Sequence, residues 1–214
     1  MSPAERRLFH LFRDSLGNDF VVFWHVAWLH RAPTIYGYEG EADFIIAHPE
    51  HGILVLEVKG GEIRYEAANR CWFSRTNRGQ EHVIQDPFEQ ARRSQHSLLM
   101  KLRDSDVTRR LHYHLGYGVC FPDIEVEETF RPDAPRAIVL DARALHEPER
   151  SLLSLFHFWS AEQPSSPPGS AAIDGLIGLL ARSWRVTMPL HMVFAREEEQ
   201  IRELTERQFA LLDF

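Results

Sequence analysis

The chain is short of several things, and each shortage excludes something. Only two of its 214 residues are cysteine, Cys71 and Cys120. Two thiols cannot build the disulfide framework of a small secreted domain, and a chain this long buries enough surface to fold without such staples. A reducing compartment fits, and a cytoplasmic location is expected. No apolar run approaches the length that spans a bilayer; the nearest, Phe20 to Leu29, is interrupted by His25. Met1 to Arg7 leads into an amphipathic pattern with no apolar targeting core, so no signal peptide and no membrane partner are expected. Gly-x-Ser-x-Gly, Gly-x-Gly-x-x-Gly, Cys-x-x-Cys and Gly-Lys are all missing. Their absence argues against a serine-hydrolase elbow, a dinucleotide fingerprint, a zinc knuckle and a phosphate-binding loop.

Lysine is the scarcest cation. Of 24 basic residues 22 are arginine, and Lys59 and Lys101 are the remaining two. Arginine serves as the ordinary surface cation here, so a lysine is read as chosen for a compact point charge with a tunable pKa. Acidic charge is unevenly placed. Residues 1–120 hold 15 acidic and 15 basic side chains, whereas residues 121–214 hold 16 and 9, which is the whole net charge of −7. That balance argues against a protein that coats nucleic acid, yet it leaves the neutral first part open to a nucleic-acid site.

What is present reads as an α/β fold. Ser2, Pro3 and Glu5 suit the N-cap, N1 and N3 positions of a first helix with the apolar stripe Leu8, Phe9, Phe12 and Leu16. Strands are predicted over 20–30, 42–47 and 52–59, with a loop over 31–40 and a further hairpin, 63–65 with 71–73. A second helix opens at Asp86-Pro87-Phe88-Glu89 and runs to about Arg103, with Phe88, Ala91, Leu98 and Leu102 inward. Strands over 113–121 and 136–140 follow, then helices over 152–159 and 171–184 with a loop over 163–170. Helix, strands, helix, strand implies a mixed central sheet flanked by helices.

The charges stand out in the hairpin around His48-Pro49-Glu50-His51-Gly52. If it is symmetric about residue 50, Ala47 faces Ile53, Ile45 faces Val55 and Asp43 faces Glu57, with Phe44–Leu56 and Ile46–Leu54 on the other side. Both faces are apolar, so these are expected to be central strands. Asp43, Glu57 and Lys59 then share one face. Two carboxylates that close repel each other unless compensated, and Mg²⁺ or Mn²⁺ with oxygen ligands is the natural compensator. Lys59 can then hold or activate a water beside it. The plainer alternative is a cross-strand salt bridge from Lys59 to Glu41. Among the histidines, His112 and His114 would share one strand face, and they are read as structural or surface residues.

The stretch from Gly40 to Gly60, with Asp43 and the Glu57-Val58-Lys59 triplet, resembles the nuclease-related domain, NERD, a branch of the PD-(D/E)XK nuclease superfamily. The resemblance extends over residues 1–125 and includes the first helix, the Trp72 hairpin and Asp86 to Gln90. It implies a restriction-endonuclease-like α-β-β-β-α-β core and metal-dependent hydrolysis of phosphodiester bonds in DNA, with RNA the other candidate substrate. Asp43, Glu57 and the Val58 carbonyl would ligate Mg²⁺ or Mn²⁺, Lys59 would orient the attacking water, and Gln90 would contact DNA or support the site. Glu5 matches an acid that some relatives turn toward the metal; a capping box explains it equally well. A catalytically inactive nuclease-fold module that binds nucleic acid or docks a partner is the alternative. Arg75, Arg78, Arg92 and Arg93 are candidate phosphate contacts, against an ordinary charged face.

On this reading residues 1–195 are the nuclease-like domain, with a core over 1–125 and an extension over 126–195. Residues 196–214 are a linker and the start of a further element. Leu204 to Gln208, followed by Phe209 to Asp213, resembles the Q motif that opens UvrD-like superfamily 1 helicases. It implies a helicase motor in cis or in trans and, in a longer protein, adenine recognition by Gln208. A Thr-x-x-Gln capping box is the other reading. With no Gly-Lys pair, no ATP binding is expected of this chain.

Overall fold

The computed structural model describes residues 2–30, 38–76, 79–127, 134–162 and 167–181. Most of the expected 31–40 loop, Arg78, the end of the last predicted helix and the whole segment 196–214 with Gln208 lie outside these residues.

Helix α1 (Pro3–Ser15) starts as its first residues dictate. The Ser2 hydroxyl accepts the Glu5 N–H at 3.2 Å, and the Ser2 N–H donates to Glu5 Oε1 at 2.9 Å. These reciprocal bonds satisfy donors that a helix start leaves open. Three strands follow as an antiparallel meander: β1 (Val21–His30), β2 (Tyr38–His48) and β3 (Gly52–Val58). The β2–β3 register pairs Phe44 with Leu56, Ile45 with Val55, Ile46 with Leu54 and Ala47 with Ile53, the symmetry expected about residue 50.

The chain then makes a separate three-stranded antiparallel sheet, β4 (Glu62–Glu66), β5 (Cys71–Arg75) and β6 (Glu81–Ile84). Helix α2 (Pro87–Asp104) carries it back to β7 (Leu115–Phe121), parallel to β3, and the short β8 (Val139–Asp141) lies parallel to β7. The main sheet therefore has the order β1-β2-β3-β7-β8. Helices α3 (Pro148–Glu162) and α4 (Gly169–Leu180) complete the described part.

Alternation along β2 and β3 assigns the two faces. Phe44, Ile46, Leu54 and Leu56 pack with Leu8 and Phe12 of α1 and with Leu152 and Leu155 of α3. Ile45, Ala47, Ile53 and Val55 pack with Leu98 and Leu102 of α2 and with Ile173 and Leu176 of α4. A third cluster, with Trp72, Phe88 and Phe121, ties the small sheet to the start of α2. Parallel pairing of β3 with β7 requires a crossover, and α2 supplies it. The chain leaves β3 at its carboxyl end, so α2 begins at that end and runs back.

Several elements differ from expectation. Strand β6 was not anticipated, because Glu81, His82 and Val83 are exposed and show no buried alternation. The 136–140 strand is a 3-10 turn, Arg136–Ile138, followed by the three residues of β8. Strand β2 begins four residues before Ala42, and α4 begins at Gly169, directly after Pro168. His112 and His114 precede β7 and do not share an exposure: His112 is exposed and His114 buried.

Candidate active site

The crossover brings three chain segments to the carboxyl end of β3. There the β2–β3 ladder stops at Phe44–Leu56, and a side chain takes over from the backbone. Asp43 Oδ2 accepts the Val58 N–H at 2.8 Å. One step further on the same count stand Asp43 and Glu57. Lys59 Nζ donates to Glu57 Oε1 at 2.6 Å, so the two lie on one side of the chain as period two requires. The lysine thus pairs with its own strand's glutamate, while Glu41, the cross-strand candidate, is exposed.

The site holds more negative charge than it compensates. Glu57 is 8% exposed and the Lys59 side chain 21%. Burial and then the charge of Glu57 push the Asp43 carboxyl up to about 7, against the stabilising Val58 N–H. Burial also raises Glu57, against the pull of Lys59. One ammonium therefore faces two carboxylates that desolvation disfavours, and a third acid adds to the excess. Glu5 is 8% exposed, and its charge raises both Asp43 and Glu57. Its Oε1 closes the capping box, while its Oε2 is buried without a hydrogen-bond partner. Capping and proximity to the carboxylates hold together for this residue.

Gln90 lies in the first turn of α2, which the crossover starts at this end of the sheet. Its Oε1 is buried and has no hydrogen-bond partner. Two orphaned oxygens thus come from the first turns of two helices. An oxygen-only donor set of this charge fits a hard divalent cation. Among the described residues, no group of three His, Cys, Asp or Glu side chains stands ready for a metal. A cation here would rest on the Asp43 and Glu57 carboxylates with a main-chain oxygen, for which Val58 is the candidate.

Sequence reasoning passed over His25. The β1–β2 register runs through Trp24–Phe44 and Val26–Ala42, which puts His25 opposite Asp43 with no ladder pair between them. Its φ is +52°, in the left-handed region that non-glycine residues rarely occupy. No pattern of residue types signals this. It is a backbone distortion beside the site carboxylate.

The described candidate phosphate contacts stand on two elements, β5 and α2. Arg75 is exposed on β5 and lies 3.7 Å from Glu62, Arg93 pairs with Glu89 along α2, Arg92 is exposed, and Arg78 lies outside the described residues.

A five-stranded mixed sheet flanked by helices, with an acid-x-Lys triplet where its central strand ends, is the architecture of a nuclease-like α/β domain. The family model described as nuclease-related domain, NERD, matches residues 2–122, more than half of the chain. The protein belongs to the NERD family. No curated protein and no solved structure matches it. Among the described residues, no helix is long and apolar enough to cross a membrane.

Proposed function

We propose that this protein is a metal-dependent nuclease that hydrolyses phosphodiester bonds in DNA, with a PD-(D/E)XK arrangement of its site. The observation that carries the reading is the half-buried Asp43 beside the buried Glu57, both raised toward neutrality, with Lys59 held 2.6 Å from Glu57. Asp43, Glu57 and the Val58 carbonyl would hold Mg²⁺ or Mn²⁺. A bound ion of this kind supplies Lewis-acid charge and lowers the pKa of water. Glu57 aims the Lys59 ammonium, which orients the attacking water and offsets charge that develops on the phosphate. Gln90, whose buried carbonyl oxygen has no hydrogen-bond partner, would hold a water or a strand group. Free cysteines at Cys71 and Cys120 accord with action in the cytoplasm. A helicase motor acting with this domain in DNA processing is supported by the resemblance of Leu204 to Gln208, followed by Phe209 to Asp213, to a Q motif.

The second reading, a nuclease-fold module that binds without cleaving, draws on the same ion pair. A Glu57 already occupied by Lys59 has less need of a cation. The deciding experiment is cleavage of plasmid and linear DNA with Mg²⁺ or Mn²⁺, comparing the natural protein with Asp43→Ala. Metal-dependent cleavage lost in the variant supports the enzyme. No cleavage above the variant, on single- or double-stranded DNA or on RNA, hands the site to the binding module.

A further inference from the structure

Directly past Lys59 the chain has two glycines, and beside them lies an open cleft of about 500 Å³ that the proposed hydrolysis leaves unused. Its walls come from the start of α1, the Gly60–Gly61 turn, the end of β5, the approach to β6 and the residues after β7. The glycines let these walls meet. A Cβ on Gly60 would lie 2.7 Å from the Ala4 Cβ and 3.1 Å from Asp123 Oδ2, and Gly61 has a φ of +85°.

The chemistry of the cleft differs from that of the site beside it. Among the described residues that line it, Arg7 and Asp123 are the charged ones, and they pair with each other. Asp123 also accepts the Gly61 N–H at 2.7 Å. Among the described residues that line the cleft, the one cation is neutralised by the one anion, which leaves them no surplus charge with which to track phosphates. What remains is a set of neutral donors and acceptors, the Thr76 hydroxyl and the Gln80 carboxamide, with the Ser74 hydroxyl bonded to the Gly60 carbonyl at 3.0 Å. Such groups match the edge of a base. The volume lies in the range of small-ligand sites. Gly60 follows Lys59 directly, and consecutive Cα atoms are about 3.8 Å apart. A strand whose phosphate lies at Asp43, Glu57 and Lys59 therefore has its neighbouring nucleoside within reach of this cleft.

We propose that the cleft seats one unstacked nucleoside next to the scissile phosphate and so selects single-stranded DNA or a frayed end over sealed duplex. This rests on the nuclease reading for the position of the phosphate. A nucleotide inside a duplex reaches such a cleft only after leaving its stack, which costs free energy that a single strand does not spend.

The test is fluorescence anisotropy in EDTA with the full chain and two labelled probes, a short single-stranded oligodeoxynucleotide and a dumbbell duplex with both ends closed. The natural protein is expected to bind the single strand about tenfold tighter. Thr76→Trp and Gln80→Trp, each at an exposed side chain, fill the cleft and bring the two affinities to within about twofold. Melting curves establish that at least one filled variant is folded. Equal binding of both probes by the natural protein, no binding of either, or an undiminished preference in a folded filled variant overturns the proposal. Cleavage with Mg²⁺ is scored separately on the same probes. Preference without cleavage keeps the cleft and removes the nuclease, and cleavage without preference does the reverse.

Discussion

Two aspartates of the main sheet, one within a strand and one at a strand end, show how differently one side chain can be withdrawn from water. Asp141, at the end of β8, is 1% exposed. It accepts the Val126 N–H at 3.0 Å and the Ala144 N–H at 2.9 Å, and Arg136 reaches it at 2.7 Å. These donors outweigh its burial and hold its carboxyl below the usual range. Asp43, in β2, accepts a single backbone N–H, stands beside Glu57 and is pushed up to about 7. Burial alone does not make a carboxylate functional. A fully bonded one belongs to the architecture, whereas one left short of partners is open to a cation or a proton.

The largest expected effect separates the two in activity. Asp43→Ala should lower Mg²⁺-dependent cleavage at least about a thousandfold, roughly 4 kcal/mol of transition-state stabilisation, with unchanged circular dichroism. Asp141→Ala should keep its cleavage rate per folded molecule. Wild-type cleavage by Asp43→Ala would erase the distinction.

Stability should divide them the other way. Asp141→Ala orphans two backbone donors and leaves Arg136 without its acid, and should cost about 3 kcal/mol or more in urea unfolding. Metal-free Asp43→Asn should be at least as stable as the natural protein, because it relieves repulsion with Glu57. A lower melting temperature for metal-free Asp43→Asn would show that its carboxylate is structural after all.

Acidity sharpens the contrast. Asp43 titrates near 4 when unfolded and at about 7 in the fold, so between those pH values the native state holds a proton that the unfolded chain has released. Its contribution to stability is therefore lost as pH rises through that window. Asp141 is depressed, so its contribution is present above the ordinary carboxylate range and lost as pH falls below it. Stability of wild type minus that of Asp43→Asn should decline from pH 4 to 7, and Mg²⁺ should raise the melting temperature more at pH 8 than at pH 5. A flat difference across that window would remove Asp43 from the titrating groups.

The smallest effect concerns the cap. Ser2→Ala should cost about 1 kcal/mol. Glu5→Gln keeps an oxygen for the Ser2 N–H yet removes a charge from beside Asp43, so its midpoint in thermal unfolding should stay level or rise. A loss as large as that of Ser2→Ala would mean that Glu5 acts through its charge at the helix start.

The two regions were not equally legible. Alternation of apolar residues on both sides of Pro49-Glu50 carried the β2–β3 register, and with it the shared face of Asp43, Glu57 and Lys59. Caps at Ser2 and Asp86 located both helices that bracket the site. Asp141 carried no such signal, since two of its three donors are backbone N–H groups supplied by the segments around it. Strand β6 is exposed and owes its extended shape to pairing with β5, a tertiary effect that local pattern does not show. His25 escaped because its oddity is a torsion angle rather than a residue type.

Glu5 has one oxygen in the helix start and one buried without a partner, and its charge acts on both carboxylates. The two duties are linked, and linkage is reciprocal. Whatever steadies Oε2 also steadies the bond from Oε1 to the Ser2 N–H, and fraying of the first turn releases a negative charge from its fixed place. The Ser2 amide proton is accordingly a built-in gauge of the site. Its exchange with solvent, read residue by residue, reports on events at the end of β3 without any substrate being turned over.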